Sequence, residues 1–157
     1  MIFPSNTPSF ESKFSDFMLT FSKSEIKVVN SLTNPTSSIP IKVLSEKLSD
    51  QEKKDFCITH FFNPVRYMGL LEIVKSENND LNKINALKKF CEVELGKGAI
   101  ICNDTPGFLG NRIGVYAMQV AMTEAFRMKL SIEEADAVFG RPMGIPKTGV
   151  FGLYDLI

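Results

Sequence analysis

Apolar residues follow two rhythms along this chain, and the change from one to the other marks its elements. Phe56-Cys-Ile-Thr-His-Phe-Phe62 is a short, nearly continuous apolar run ending at Asn63-Pro64, where proline cannot continue a central ladder. It predicts a buried strand. Leu70-Leu-Glu-Ile-Val74 and Ala99-Ile-Ile-Cys102 predict two more. Between them, Leu81, Ile84, Leu87, Lys88, Cys91 and Leu95 recur at helical spacing, which predicts a helix over 80–95 stopped by Gly96 and Gly98. Strand, helix and strand at these lengths imply part of an α/β sheet.

The flanks are plainer. Phe14, Phe17, Met18 and Phe21 have the spacing of a helix face, and Ile26–Val29 predicts a short strand. Pro40 to Leu48 can open a short helix, whereas Ser49 to Asp55 reads as charged and solvated. From Asn103 the pattern turns helical. Asp104 or Thr105 can cap a helix with Pro106 in its first turn, and the stretch Gly107–Lys129 keeps helical spacing through Ile113, Ala117, Val120, Ala121, Glu124 and Ala125. Ser131-Ile-Glu-Glu134 is a capping box for one more helix.

Composition narrows the function classes. The 157 residues are 44% hydrophobic and 23% charged, with eighteen basic residues offsetting eighteen acidic ones. This balance suits a soluble globular protein and lacks the positive field of a nucleic-acid binder. No apolar run approaches the roughly 18 residues of a membrane span. Glu11, Lys13 and Asp16 interrupt any leader-like segment, so a cytoplasmic location and no membrane partner are expected. Cys57, Cys91 and Cys102 have no framework spacing and fit buried, reduced thiols. Cys57-x-x-His60 has a ligand-like spacing, but Cys91 and Cys102 stand too far apart for a zinc knuckle, and no metal site is expected.

His60 is the one histidine. It sits where a strand gives way to a turn, the kind of strand end where open α/β sheets place ligands. Glu72 follows twelve residues later inside an apolar segment, and a buried carboxylate needs a partner such as an imidazole. A carboxylate beside histidine fixes its tautomer and favours its protonated form, as a general base requires. Spacing alone favours the plainer alternative of a lone histidine beside a proline turn and a glutamate on an exposed strand face. In Asp104-Thr-Pro-Gly-Phe-Leu-Gly-Asn111-Arg112, Asn111 is expected on the second turn of a helix, where its amide can donate to a substrate oxygen. A well-capped interdomain helix accounts for that segment equally well. Gly96-Lys97-Gly98 matches no phosphate-binding fingerprint and reads as a helix stop.

Taken together, His60-Phe-Phe-Asn-Pro-Val-Arg-Tyr-Met68 with Leu70–Val74, then Asp104–Arg112, resemble the two signature segments of L-3-hydroxyacyl-CoA dehydrogenases. Asn111–Tyr116 with Gly140-Arg-Pro-Met-Gly144 is most similar to the multifunctional fatty-acid-oxidation members. The resemblance covers residues 36–157. It implies a Rossmann-type NAD domain followed by an all-helical domain for substrate binding and dimerisation. On this chain that means residues 1–30 unassigned, an incomplete Rossmann-type domain (its second half) over 31–103, and the start of the helical domain over 104–157. The resemblance also implies NAD as cofactor and a 3-hydroxyacyl-CoA as substrate. His60 would be the base that removes the 3-hydroxyl proton, and Glu72 would orient it. Ser37 and Asn111 would hold the substrate oxygen, and Asn63 would lie near nicotinamide and substrate.

The departures are equally specific. The family's glycine-rich loop for the pyrophosphate is not visible, nor is the acidic residue for the ribose. Asn34-Pro35 stands where Ser-Asn is usual before Thr36, which removes an amide and a backbone donor. The chain stops at Tyr154–Ile157, in a segment that the family continues into more helices, so both ends look cut. Two accounts follow. One is the catalytic half of a split dehydrogenase, needing a second polypeptide with the cofactor-binding half, with a homodimer as a further expected partner. The other is an inactive remnant or a non-enzymatic association module.

Overall fold

The computed structural model of the chain describes residues 27–30 (backbone), 39–144 and 148–155. The apolar spacing at Phe14–Phe21 and the candidate Ser37 lie outside these residues. Compact contacts divide the chain into one unit ending at Phe108 and a second beginning at Leu109.

The first unit is built on a sheet whose described strands are β1 (Lys27–Asn30), β2 (Phe56–Phe61), β3 (Leu70–Lys75) and β4 (Gly98–Asn103), in the order β1-β2-β3-β4. β1 runs parallel to β2, β2 antiparallel to β3, and β3 parallel to β4. The four predicted strands are therefore present, within a residue or two of their expected bounds. Alternation along each strand sorts side chains onto two faces. Cys57 and Phe61 of β2, Leu71 and Ile73 of β3, and Ala99 of β4 pack with Ile84, Leu87, Cys91 and Leu95. Phe56, Ile58, Val74 and Cys102 form the opposite face with Ile41 and Phe108. Both faces are covered, which explains why these strands read as apolar runs rather than strict alternations.

The parallel β3–β4 connection is the predicted helix, α3 (Leu81–Val93). It follows two shorter helices, α1 (Ile41–Leu44) and α2 (Asp50–Lys54). The Asp80 carboxylate accepts from the Asn82 N–H at 2.9 Å and opens α3. Its first residue, Leu81, is exposed, so the buried stripe starts one turn later at Ile84. Gly96 takes φ +64, and the Lys97 N–H returns to the Cys91 carbonyl at 3.1 Å to close the end.

Three local expectations change. The helix expected over 40–48 is only the single turn of α1, after which the chain passes into turns. The segment read as charged and solvated is the helix α2, opened by a capping box between Ser49 and Glu52. Asp55 at its end is buried and pairs with Lys83 at 2.7 Å. Asp104 does not cap the helix that follows it. Its Oδ2 accepts from the Ile41 N–H at 3.0 Å and so caps α1, 63 residues away in sequence.

The second unit is helical: α4 (Gly110–Arg127), α5 (Ile132–Val138), a 3-10 turn at Arg141–Met143, and α6 (Gly149–Tyr154). α4 starts at Gly110, later than a cap at Asp104 or Thr105 predicts, because residues 106–109 form turns. The predicted capping box holds, with the Ser131 hydroxyl on the Glu134 N–H and the Glu134 carboxylate on the Ser131 N–H. The Asp136 carboxylate accepts from the N–H groups of Phe151 at 2.7 Å and Gly152 at 3.3 Å, joining α5 to α6. Gly149 has φ +72, and a Cβ there would meet the Asp136 side chain at 2.4 Å, so only glycine fits.

Candidate active site

The site grows out of strand register. His60 and Glu72 are partners on one rung of the antiparallel β2–β3 pair, so their side chains leave the sheet on the same face. On the other side of β3, Glu72 is the partner of Ile100 in β4. Flanked by strands on both edges, the Glu72 side chain is 0% exposed, while that of His60 is 13% exposed. This rules out the exposed-face alternative for Glu72. A carboxylate buried this deeply is stable only with a polar partner. The partner is present: His60 Nδ1 lies 2.6 Å from Glu72 Oε2.

With its proton on Nδ1, the imidazole donates to Glu72 and leaves Nε2 with a lone pair. Its ring is held from two sides, by Phe62 with centroids 4.7 Å apart and by Phe108 at 5.6 Å, both edge-on. Phe108 is buried and has φ +46, a conformation costly for a residue with a side chain. The other carboxylate oxygen, Glu72 Oε1, has the Cys102 thiol 3.9 Å away. Burial and the neighbouring carboxylate push that thiol up to about 11. Phe62, Phe108 and Cys102 had no signal in the sequence. Only the sheet and the turn after it bring them to His60.

The remaining candidates are placed as follows. Asn63 is exposed two residues after the end of β2 and three beyond His60, at the turn that begins with Pro64. Asn111 lies in the first turn of α4 in the second unit, not the second turn as expected. Ser37 is outside the described residues. Cys57, Cys91 and Cys102 are buried free thiols, and among the described residues no three His, Cys, Asp or Glu side chains group as a metal site. A cavity of about 760 Å³ opens beside Lys42, Lys53, Lys75 and Asn103. Lys75 and Asn103 end β3 and β4, whereas His60 pairs near the start of β3, so the cavity is at the other end of the sheet. No described helix is long and apolar enough to cross a membrane.

The cofactor implied by the resemblance can be tested against these residues. The carboxyl end of β2, with His60 and Asn63, is where an open α/β sheet receives the reacting end of a ligand. A dinucleotide pyrophosphate needs a glycine-rich turn directly after a strand. The first glycine of this sequence is Gly69, and Gly96 and Gly98 stand at the start of β4 rather than after a strand. These 157 residues therefore fit the reacting end and do not provide the pyrophosphate cradle.

The family model described as "3-hydroxyacyl-CoA dehydrogenase, NAD binding domain" matches residues 26–105, just over half of the chain. A Rickettsia felis protein named as a fatty acid oxidation complex trifunctional enzyme is 43% identical over 126 residues, 80% of this chain and 18% of its own length. A Bacillus subtilis protein named as a 3-hydroxyacyl-CoA dehydrogenase is 36% identical over 126 residues, 80% of this chain and 16% of its own. The chain thus spans less than a fifth of either relative. The solved (S)-3-hydroxybutyryl-CoA dehydrogenase of Ralstonia eutropha superposes with a TM-score of 0.66 at 26% identity, over 97% of this chain and 52% of that one. By sequence and by α/β fold, the chain belongs to the 3-hydroxyacyl-CoA dehydrogenase family, whose NAD-binding domain it matches across its sheet.

Proposed function

We propose that this chain carries the acid–base centre of a 3-hydroxyacyl-CoA dehydrogenase, with His60 as the base and Glu72 as its orienting partner. The observation that supports this most is the 2.6 Å contact between a part-exposed imidazole and a fully buried carboxylate at a strand end. His60 Nε2 takes the proton from the substrate's 3-hydroxyl, and Glu72 Oε2 holds Nδ1–H and stabilises the imidazolium formed. A positioned base of this kind is worth about a hundred- to ten-thousand-fold in rate. Bound NAD would supply the acceptor for the hydride leaving C3, giving a 3-ketoacyl-CoA. Ser37 and Asn111 are proposed to hold the substrate oxygen, and Asn63 to lie near the nicotinamide and substrate. Residues 31–103 would be the second half of the NAD domain, and 104–157 the start of the helical substrate domain.

The proposal includes a polypeptide carrying the glycine-rich half, with which this chain turns over a 3-hydroxyacyl-CoA. The second reading is an inactive remnant or an association module. Exposed Ile113, Tyr116 and Val120 on α4 would suit association. An NADH-linked assay with a 3-hydroxyacyl-CoA, run with and without an added cofactor-binding half, separates the two. Turnover that depends on the added half supports the dehydrogenase. No turnover in either case supports the module.

A further inference from the structure

Lys97 is a lysine in the wrong place for a surface charge. It stands between two glycines, Gly96 and Gly98, at the start of β4, and is only 6% exposed. Its Nζ donates to the carbonyl of Val65 and, at 2.7 Å, to that of Met68. Next to it, the Gly98 N–H donates to the Gly69 carbonyl at 2.7 Å. Three bonds from two adjacent residues therefore fasten the 65–69 turn to the base of β4.

That turn is the one that leaves the proposed site. It starts at Pro64, directly after Asn63 and four residues after His60. Short-range bonds also hold it, with the Tyr67 and Met68 N–H groups both donating to the Pro64 carbonyl at 2.9 and 3.0 Å. Arg66, Tyr67 and Met68 are exposed, and only Val65 is packed against the core. Few apolar contacts hold such a segment, so its order depends on polar anchors. Burial lowers the Lys97 pKa, the cost expected for a cation held inside the protein rather than in solvent.

We propose that Lys97 is a positioning residue for the proposed site: its buried ammonium clamps the Val65–Met68 turn and thereby fixes Asn63 and the mouth beside His60. The proposal rests on the catalytic reading of His60, but the clamp itself can be tested apart from turnover. A phosphate-binding role for Lys97 is not compatible with this geometry, because the ammonium is buried and two of its three donors face main-chain carbonyls. Arginine would keep a cation and its donors on a longer stem. Methionine would keep the apolar stem and lose both.

The test uses the full chain, labelled for amide hydrogen exchange by NMR, as wild type, Lys97→Met and Lys97→Arg. For Lys97→Met, exchange at Tyr67, Met68 and Gly98 is expected to speed up by about tenfold or more, since a charge-assisted clamp has been removed. Leu87 and Cys91 in α3 should exchange as before. The ring-proton signals of His60, unique because the chain has one histidine, should shift or broaden in Lys97→Met. Lys97→Arg should restore most of both effects. Faster exchange spread equally over α3 and the turn would overturn the proposal, as would an unchanged turn and an unchanged His60 signal. If Lys97→Met does not fold, Lys97→Arg decides: wild-type turn exchange and His60 signals support the clamp, and loss of both contradicts it. Absence of turnover in a reconstituted enzyme would count against the base assignment and leave the exchange result standing.

Discussion

His60 and Glu72 meet twice, as backbone partners on one rung of the β2–β3 ladder and through the 2.6 Å contact between Nδ1 and Oε2. The first meeting causes the second. A one-residue slip of register would turn Glu72 to the α3 face and leave a carboxylate among Ile84, Leu87 and Cys91. The pair is therefore specified by the whole sheet rather than by its own attraction.

Removing one member should expose that dependence. Glu72→Ala is expected to cost about 3–5 kcal/mol in urea unfolding, since it breaks a buried pair and leaves space behind. The double replacement His60→Phe with Glu72→Leu should recover much of that loss, because apolar groups can fill the same volume without desolvation. A double variant no more stable than Glu72→Ala would show that the pair itself holds the fold.

Asn79 offers a second stability test. Its amide donates to the carbonyls of Phe56 at 2.8 Å and Lys54 at 3.0 Å, and its Oδ1 accepts from the Ser76 N–H at 2.6 Å. It thus ties the end of β3 to the start of β2. Asn79→Ala should destabilise by about 1–3 kcal/mol through unsatisfied main-chain groups. A change within about 0.5 kcal/mol, the usual effect of a surface substitution, would argue against the tie.

The thiols predict a pH dependence. Burial pushes Cys57 and Cys91 up to about 12, and Cys102 up to about 11, from an ordinary 9.0. Above 9.0 the unfolded chain loses thiol protons that the folded chain keeps, so the folded state binds more protons and stability falls as pH rises. The contribution is complete below 9.0 and lost progressively up to about 12. Urea midpoints at about pH 8 and about pH 10 should differ in that sense, and the loss should shrink in a triple Cys→Ala variant compared at the same two values. Thiol reagents should label the native chain slowly and the unfolded chain fast.

Cofactor affinity follows from the absent cradle. NADH titrated against the isolated chain should show weak binding or none, as the pyrophosphate has no glycine turn to meet it. A dissociation constant in the micromolar range, roughly −8 kcal/mol, would contradict this.

Periodicity made the sheet and α3 legible, because burial on both faces leaves apolar runs and a helix packed on one face leaves a stripe. Spacing alone favoured Glu72 on an exposed strand face, since alternation does not show whether a strand is covered on both sides. Its pairing with His60 came only through the two signature segments, since register depends on the turn between two strands. α2 carries no apolar stripe and was missed, although Ser49 and Glu52 already had capping-box spacing. Asp104 looked like the cap of the next helix, and nothing local could show that it caps α1 instead. The left-handed Phe108 and the buried Lys97 depend on contacts across the fold, so neither could be read from its own neighbourhood.

The base assignment is tested most directly by NADH-linked oxidation of a 3-hydroxyacyl-CoA by this chain combined with a cofactor-binding half, as wild type and as His60→Gln. The account predicts turnover by the wild type and a loss of about a hundred- to ten-thousand-fold in the variant. Equal turnover by the two, or none by the wild type, would contradict it.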